Sequence, residues 1–104
     1  MNVGVIGTGT MGRNHARIYS ELKGIEETYV FDVNKTNYND ITNFGAVACD
    51  SMDELLDNVD AVSICVPTKY HLQVAKEVIE KDIHCLIEKP IAQSVSEAEE
   101  LVDL

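Results

Sequence analysis

The sequence has no tryptophan, two prolines, two phenylalanines, and only 8 basic residues against 18 acidic ones in 104. Its formal charge is −10, and lysine and arginine are nowhere clustered. Affinity for a phosphate backbone comes chiefly from basic side chains that release counterions, so nucleic acid and anionic membrane are poor partners. Long apolar runs are also missing. The opening MNVGVIGTGT is interrupted by glycine and fits neither a secretory signal nor a membrane span, so a cytoplasmic protein is expected. Cys49, Cys65 and Cys85 are odd in number, form no CxxC pair and lie in or beside apolar stretches, as buried thiols of reducing compartments do. No metal is expected: Glu97, Glu99, Glu100 and Asp103 sit in the early turns of an expected helix, where acids complement the dipole and face water.

What is present is 45% hydrophobic and 25% charged residue content, that of one globular domain over 1–104. Short apolar runs alternate with helical periods, which predicts an α/β fold. The runs at Val3 to Ile6, Thr28 to Phe31, Val47 to Cys49, Ala61 to Val66 and His84 to Ile87 are the expected strands. Between them the spacing predicts helices from Met11 to Leu22, with His15, Ile18, Tyr19 and Leu22 on one face, before Gly45, from Met52 to Asn58 and from Tyr70 to Lys81. Ser51 and Glu54 form a capping-box pattern, as do Ser94 and Glu97 at the start of a last helix. Near-continuous apolar strands joined by helical crossovers require a doubly wound parallel sheet, for which the order 3-2-1-4-5 is expected, with its ligand crevice at the C-terminal strand ends beside strand 1.

Gly7-Thr8-Gly9-Thr10-Met11-Gly12 is a GxGxxG sequence between an expected strand and an expected helix, the setting that a dinucleotide-binding turn needs. Gly7 permits the tight turn, Gly9 lets backbone approach a pyrophosphate and Gly12 lets the helix pack closely, while free N–H groups attract the anion. Asp32 ends strand 2, where a carboxylate accepts from ribose hydroxyls and repels a 2′-phosphate. NAD is therefore favoured over NADP, although Lys35 leaves room for a 2′-phosphate. The same acidic position serves FAD proteins and methyltransferases, so a further discriminator is needed.

That discriminator is Ile87-Glu88-Lys89-Pro90 after strand 5, with Val66-Pro67-Thr68-Lys69-Tyr70-His71 after strand 4. Together with GVIGTGTMGRNHA, these segments resemble the N-terminal domain of the Gfo/Idh/MocA oxidoreductases, the family of glucose-fructose oxidoreductase and inositol 2-dehydrogenase. The resemblance implies an NAD(P)-binding Rossmann domain, followed in the family by a second α/β domain that supplies most substrate contacts. Neither that substrate domain nor the usual sixth strand is expected within 1–104. It also implies hydride transfer between nicotinamide C4 and a secondary alcohol of a sugar, sugar nucleotide or cyclitol.

Residue by residue, the resemblance places Lys89 near the nicotinamide and the reacting hydroxyl, as the catalytic group. Glu88 either contacts the cofactor or orients Lys89. Pro67 and Thr68 fall beside the nicotinamide ribose, where Val66 replaces a threonine often found in the family and removes one hydroxyl contact. His71 matches a family histidine, and either touches the cofactor or is satisfied by backbone. His15 matches too, but its apolar neighbours make it a packed core residue; His84 carries no functional signal. Tyr19, Tyr29, Tyr38 and Tyr70 are read as packing residues. The isolated 1–104 chain is expected to bind cofactor without useful turnover, and family members associate as homo-oligomers through the second domain. A non-catalytic NAD(H)-sensing module fits GxGxxG equally well but leaves Glu88-Lys89-Pro90 without a purpose.

Overall fold

In the computed structural model the described residues are 1–33, 45–87, 99 and 102, without the side chains of Thr10, Met11 and Thr68. The helices expected before Gly45 and after Ser94, together with Lys35, Tyr38, Glu88, Lys89 and Pro90, lie outside them. Val3–Ile6 forms β1, buried at all four positions, because two flanking strands and helices on both faces leave it no solvent side. Thr28–Phe31 forms β2, Val47–Ala48 β3, Ala61–Ile64 β4 and His84–Ile87 β5. All pairings are parallel, and the order is β3-β2-β1-β4-β5, as the alternation of strand and helix predicts.

Two apolar layers hold the helices to the sheet. On one face α1, Thr10–Glu21, packs Ala16 with Val5, Val30 and Ala46. On the other, Leu55 and Leu56 of α2, Met52–Leu56, join Ala75 and Val78 of α3, His71–Glu80, over Ile6, Val62 and Ile64. Full burial of a Leu, Ile or Val side chain stabilises by roughly 1.5–3 kcal/mol, so these layers dominate the fold's stability.

The buried face of α1 differs from the expected one. Ile18 and Leu22 are 47% and 49% exposed, while Gly12 and Ala16 are buried and His15 and Tyr19 half-buried. The helix approaches β1 and β4 so closely that only small residues fit its contact line, which rotates the larger aliphatics towards water. On α3, Ala75 and Val78 are buried, with Ile79 packed against the same core and Leu72 half-buried. Cys49 is buried; Cys65 and Cys85 are half-buried.

Helix α2 stops at Leu56 rather than Asn58, because Asn58 Nδ2 donates to the Glu54 carbonyl at 2.7 Å and closes the turn. Its start follows the capping pattern: Ser51 Oγ accepts from Glu54 N at 3.1 Å. The return bond reaches one residue further back than a capping box does, with Asp50 N donating to Glu54 Oε2 at 3.0 Å. Strand β4 ends at Ile64, two residues before the expected end, because the Val66 carbonyl turns to the His71 ring and Tyr70 N closes a 3₁₀ turn onto the Pro67 carbonyl at 2.9 Å.

The strand register places the site. Ile6 pairs with Phe31 and with Ile64, and Ile64 pairs with Ile87. Four strands therefore end level, and the loops that follow them share one edge of the sheet.

Candidate dinucleotide site

Gly7 begins the turn after β1 with φ +94°, in the left-handed region that favours glycine. Its N–H donates to the Phe31 carbonyl at 2.8 Å, and a Cβ there would lie 2.7 Å from the Cys65 carbonyl carbon. The turn is thus pressed against the end of β4. A Cβ on Gly12 would overlap the Gly7 carbonyl oxygen, so the first turn of α1 rests directly on the loop.

Gly9 has the opposite environment. Among the described residues no atom beyond its two chain neighbours lies within 4 Å of where its Cβ would be, and as the residue before α1 it offers no side-chain cap. The first N–H groups of a helix have no intrahelical acceptor, and here they open onto that space with the positive end of the helix dipole behind them. Thr10 and Met11 contribute backbone to this first turn. A pyrophosphate fits the cradle: room at Gly9 and backbone donors at the helix start.

Asp32, half-buried, follows β2 on the same edge. Its Oδ2 accepts both the Thr8 N–H at 2.7 Å and the Thr8 hydroxyl at 3.0 Å. Thr8 is 0% exposed, so its side chain faces the carboxylate from inside the protein rather than the crevice.

The opposite wall is the loop after β4. Val66 is half-buried, Pro67 exposed, and Thr68 opens the 3₁₀ turn that leads into α3. His71 is 2% exposed and its Nε2–H donates to the Val66 carbonyl at 2.8 Å. That bond braces the turn bearing Pro67 and Thr68. His15 packs edge-on against Tyr19, with ring centroids 6.1 Å apart, and its Nδ1 is 3.6 Å from Cys65 Sγ.

Two features escaped the sequence reading. Cys65 floors the glycine turn, and Tyr19 Oη bonds Ser63 Oγ at 2.6 Å between α1 and β4. The second had a signal, since Ser63 interrupts an otherwise apolar strand and a buried hydroxyl needs a partner. Among the described residues no group of His, Cys, Asp and Glu could hold a metal ion, and no helix is long and apolar enough to cross a membrane. An apolar hollow of about 340 Å³, bordered by Met1, Val3, Ala61, His84 and Leu86, lies where β1, β4 and β5 begin and shares no residue with the glycine loop.

Residues 1–104 match the family model of the oxidoreductases with an NAD-binding Rossmann fold. The chain belongs to the Gfo/Idh/MocA family. It is 39% identical to the UDP-N-acetylglucosamine 3-dehydrogenase of Acidithiobacillus ferrooxidans over 105 residues, covering 100% of this chain and 33% of that protein. With the glucose-6-phosphate 3-dehydrogenase of Bacillus subtilis it shares 33% identity over 102 residues, 97% of this chain and 29% of that protein. This Gfo/Idh/MocA chain thus spans about a third of the length of the curated relatives it matches.

Solved structures agree. The Acidithiobacillus dehydrogenase superposes with a TM-score of 0.89 over 99% of this chain and 34% of its own. GenD2 from gentamicin A biosynthesis, solved in complex with NAD, also gives 0.89, at 31% identity over 99% of this chain and 30% of its own. The Gfo/Idh/MocA Rossmann domain is NAD-binding, and the open helix start, Gly9 and strand-end Asp32 are the features of this chain that suit it.

Proposed function

We propose that residues 1–104 are the cofactor-binding domain of an NAD-dependent dehydrogenase acting on a secondary alcohol of a sugar, sugar nucleotide or cyclitol, with most substrate contacts made by a second domain. The observation that carries this reading is the open cradle at Gly9, at the start of α1, with a carboxylate fixed at the end of the neighbouring strand. The names of the relatives support the substrate class, since those cited above act on a sugar nucleotide and a sugar phosphate.

In this reading the first turn of α1, from Gly9 through Thr10 and Met11 to Gly12, binds the pyrophosphate through backbone N–H groups, while Asp32 receives the adenosine ribose. Val66, Pro67 and Thr68 form the wall beside the nicotinamide ribose, and His71 holds that wall in position through the Val66 carbonyl. Bound NAD supplies a hydride acceptor at nicotinamide C4. Lys89, two residues past the end of β5, polarises the substrate hydroxyl or relays its proton as the carbinol carbon gives up its hydride. Glu88 orients that lysine or touches the cofactor.

Lys89→Ala in the full-length protein tests the assignment. Turnover on polyols and sugar nucleotides is expected to fall by about 10²–10⁴-fold, the usual contribution of a positioned acid or base, with NAD affinity retained. Unchanged turnover would remove Lys89 from the mechanism. NAD binding with no dehydrogenase activity in the unmodified protein on any such alcohol would favour a sensing module.

A further inference from the structure

We infer that Thr8 is a positioning residue that sets the dinucleotide preference of this site by holding the Asp32 carboxylate in place. The inference rests on the reading of Asp32 as the ribose-facing acid and adds to it the residue that keeps the acid there. Thr8 lies between two glycines of the loop, where its hydroxyl would be expected to reach a phosphate. At 0% exposure it reaches none. Its N–H and its hydroxyl converge on one oxygen of Asp32, at 2.7 and 3.0 Å.

Two donors from one residue onto one acceptor fix both the position and the rotation of a carboxylate more firmly than either alone. Both bonds are charge-assisted, the stronger class of hydrogen bond. Val33 is 89% exposed, so the chain has left the sheet directly after Asp32, and the Thr8 bonds tie the carboxylate back to the turn that follows β1. The dependence is mutual, because a fully buried hydroxyl needs an acceptor and Asp32 Oδ2 is the one it has.

The consequence is selectivity. A carboxylate held at the strand end accepts from the ribose hydroxyls of NAD and opposes the 2′-phosphate of NADP by charge. One released from the loop can turn aside from that phosphate, which weakens NAD and relieves NADP together. Thr8 therefore acts on the ratio of the two affinities while touching neither ligand.

Calorimetric titration with NAD and NADP of the unmodified protein, Thr8→Val, Thr8→Ser, Asp32→Ala and the Thr8→Val/Asp32→Ala double variant tests this. Thr8→Val removes the hydroxyl at nearly constant volume and is expected to lower the preference for NAD by about tenfold, the equivalent of one charge-assisted hydrogen bond. Thr8→Ser, which keeps both donors, should restore the preference, and Thr8→Val should change nothing further once Asp32 is alanine. A Thr8→Val protein with an unaltered unfolding midpoint and an unaltered preference overturns the inference, as does a Thr8→Ser protein as impaired as Thr8→Val. If Thr8→Val does not fold, Thr8→Ala provides the same comparison without a misplaced methyl group. Unmodified protein that binds neither dinucleotide overturns the underlying functional reading, and the inference with it.

Discussion

Tyr19 on α1 and Ser63 on β4 share a hydrogen bond of 2.6 Å, which ties the helix that opens the dinucleotide cradle to the strand that carries its opposite wall. Ser63 is 1% exposed. Tyr19→Phe removes the partner while keeping the ring, so stability should fall by about 1–3 kcal/mol, the cost of leaving a buried hydroxyl unsatisfied. Urea unfolding measures it, and a midpoint equal to that of the unmodified protein would show that Ser63 finds another partner.

The glycine loop gives a paired test. Gly9→Ala places its methyl in open space, so the unfolding midpoint should be retained while NAD affinity drops at least tenfold, because the methyl occupies the approach to the pyrophosphate. Gly12→Ala drives a methyl into the Gly7 carbonyl and should lower both stability and affinity. Thermal unfolding beside NAD titration separates the two; equal losses of stability would contradict the geometry.

Cys49 is 1% exposed, and burial, followed by the Glu54 and Asp50 carboxylates, raises its pKa to about 11 from an ordinary 9.0. The unfolded chain therefore loses this proton first. Its contribution to stability is complete below pH 9 and is lost as pH rises towards 11. Native Cys49 should resist a thiol-reactive disulfide reagent at pH 8. In unfolding curves the gap between the unmodified protein and Cys49→Ala should narrow across that alkaline window; a constant gap would show that the thiol does not titrate there.

Ser51→Ala removes the side-chain acceptor for Glu54 N at the start of α2 and should cost about 1 kcal/mol. Glu54→Gln should cost less, since its amide oxygen can still accept from Asp50 N. Chemical denaturation orders the two variants, and the reverse order would place the Glu54 charge above the Ser51 cap.

The architecture was legible because its signals are local and repeated. Apolar strands four residues long, joined by helical periods, specify a parallel doubly wound sheet, and β1, β2 and β5 fall on the residues that the runs suggest. GxGxxG marked the turn because positive φ at Gly7 and contact at Gly12 demand residues without side chains. What could not be read are relations that only tertiary packing creates. Ile18 and Leu22 satisfy the helical period, yet close approach through Gly12 and Ala16 turns them outward. The burial of Thr8 against Asp32 depends on how β2 ends beside β1. The backbone partner of His71 was equally hidden, because only the path of the chain after Cys65 brings the Val66 carbonyl within reach of its ring.

The central claim is that the crevice at the end of β1 holds NAD through the helix start and Asp32. Calorimetric titration with NAD, NADH, NADP and NADPH, beside Asp32→Ala, tests it most directly. NAD and NADH are expected to bind more tightly than their 2′-phosphorylated counterparts, and Asp32→Ala to weaken them by about tenfold or more while leaving NADP unchanged or improved. Equal binding of all four dinucleotides, indifferent to Asp32→Ala, or no binding of any, would contradict it.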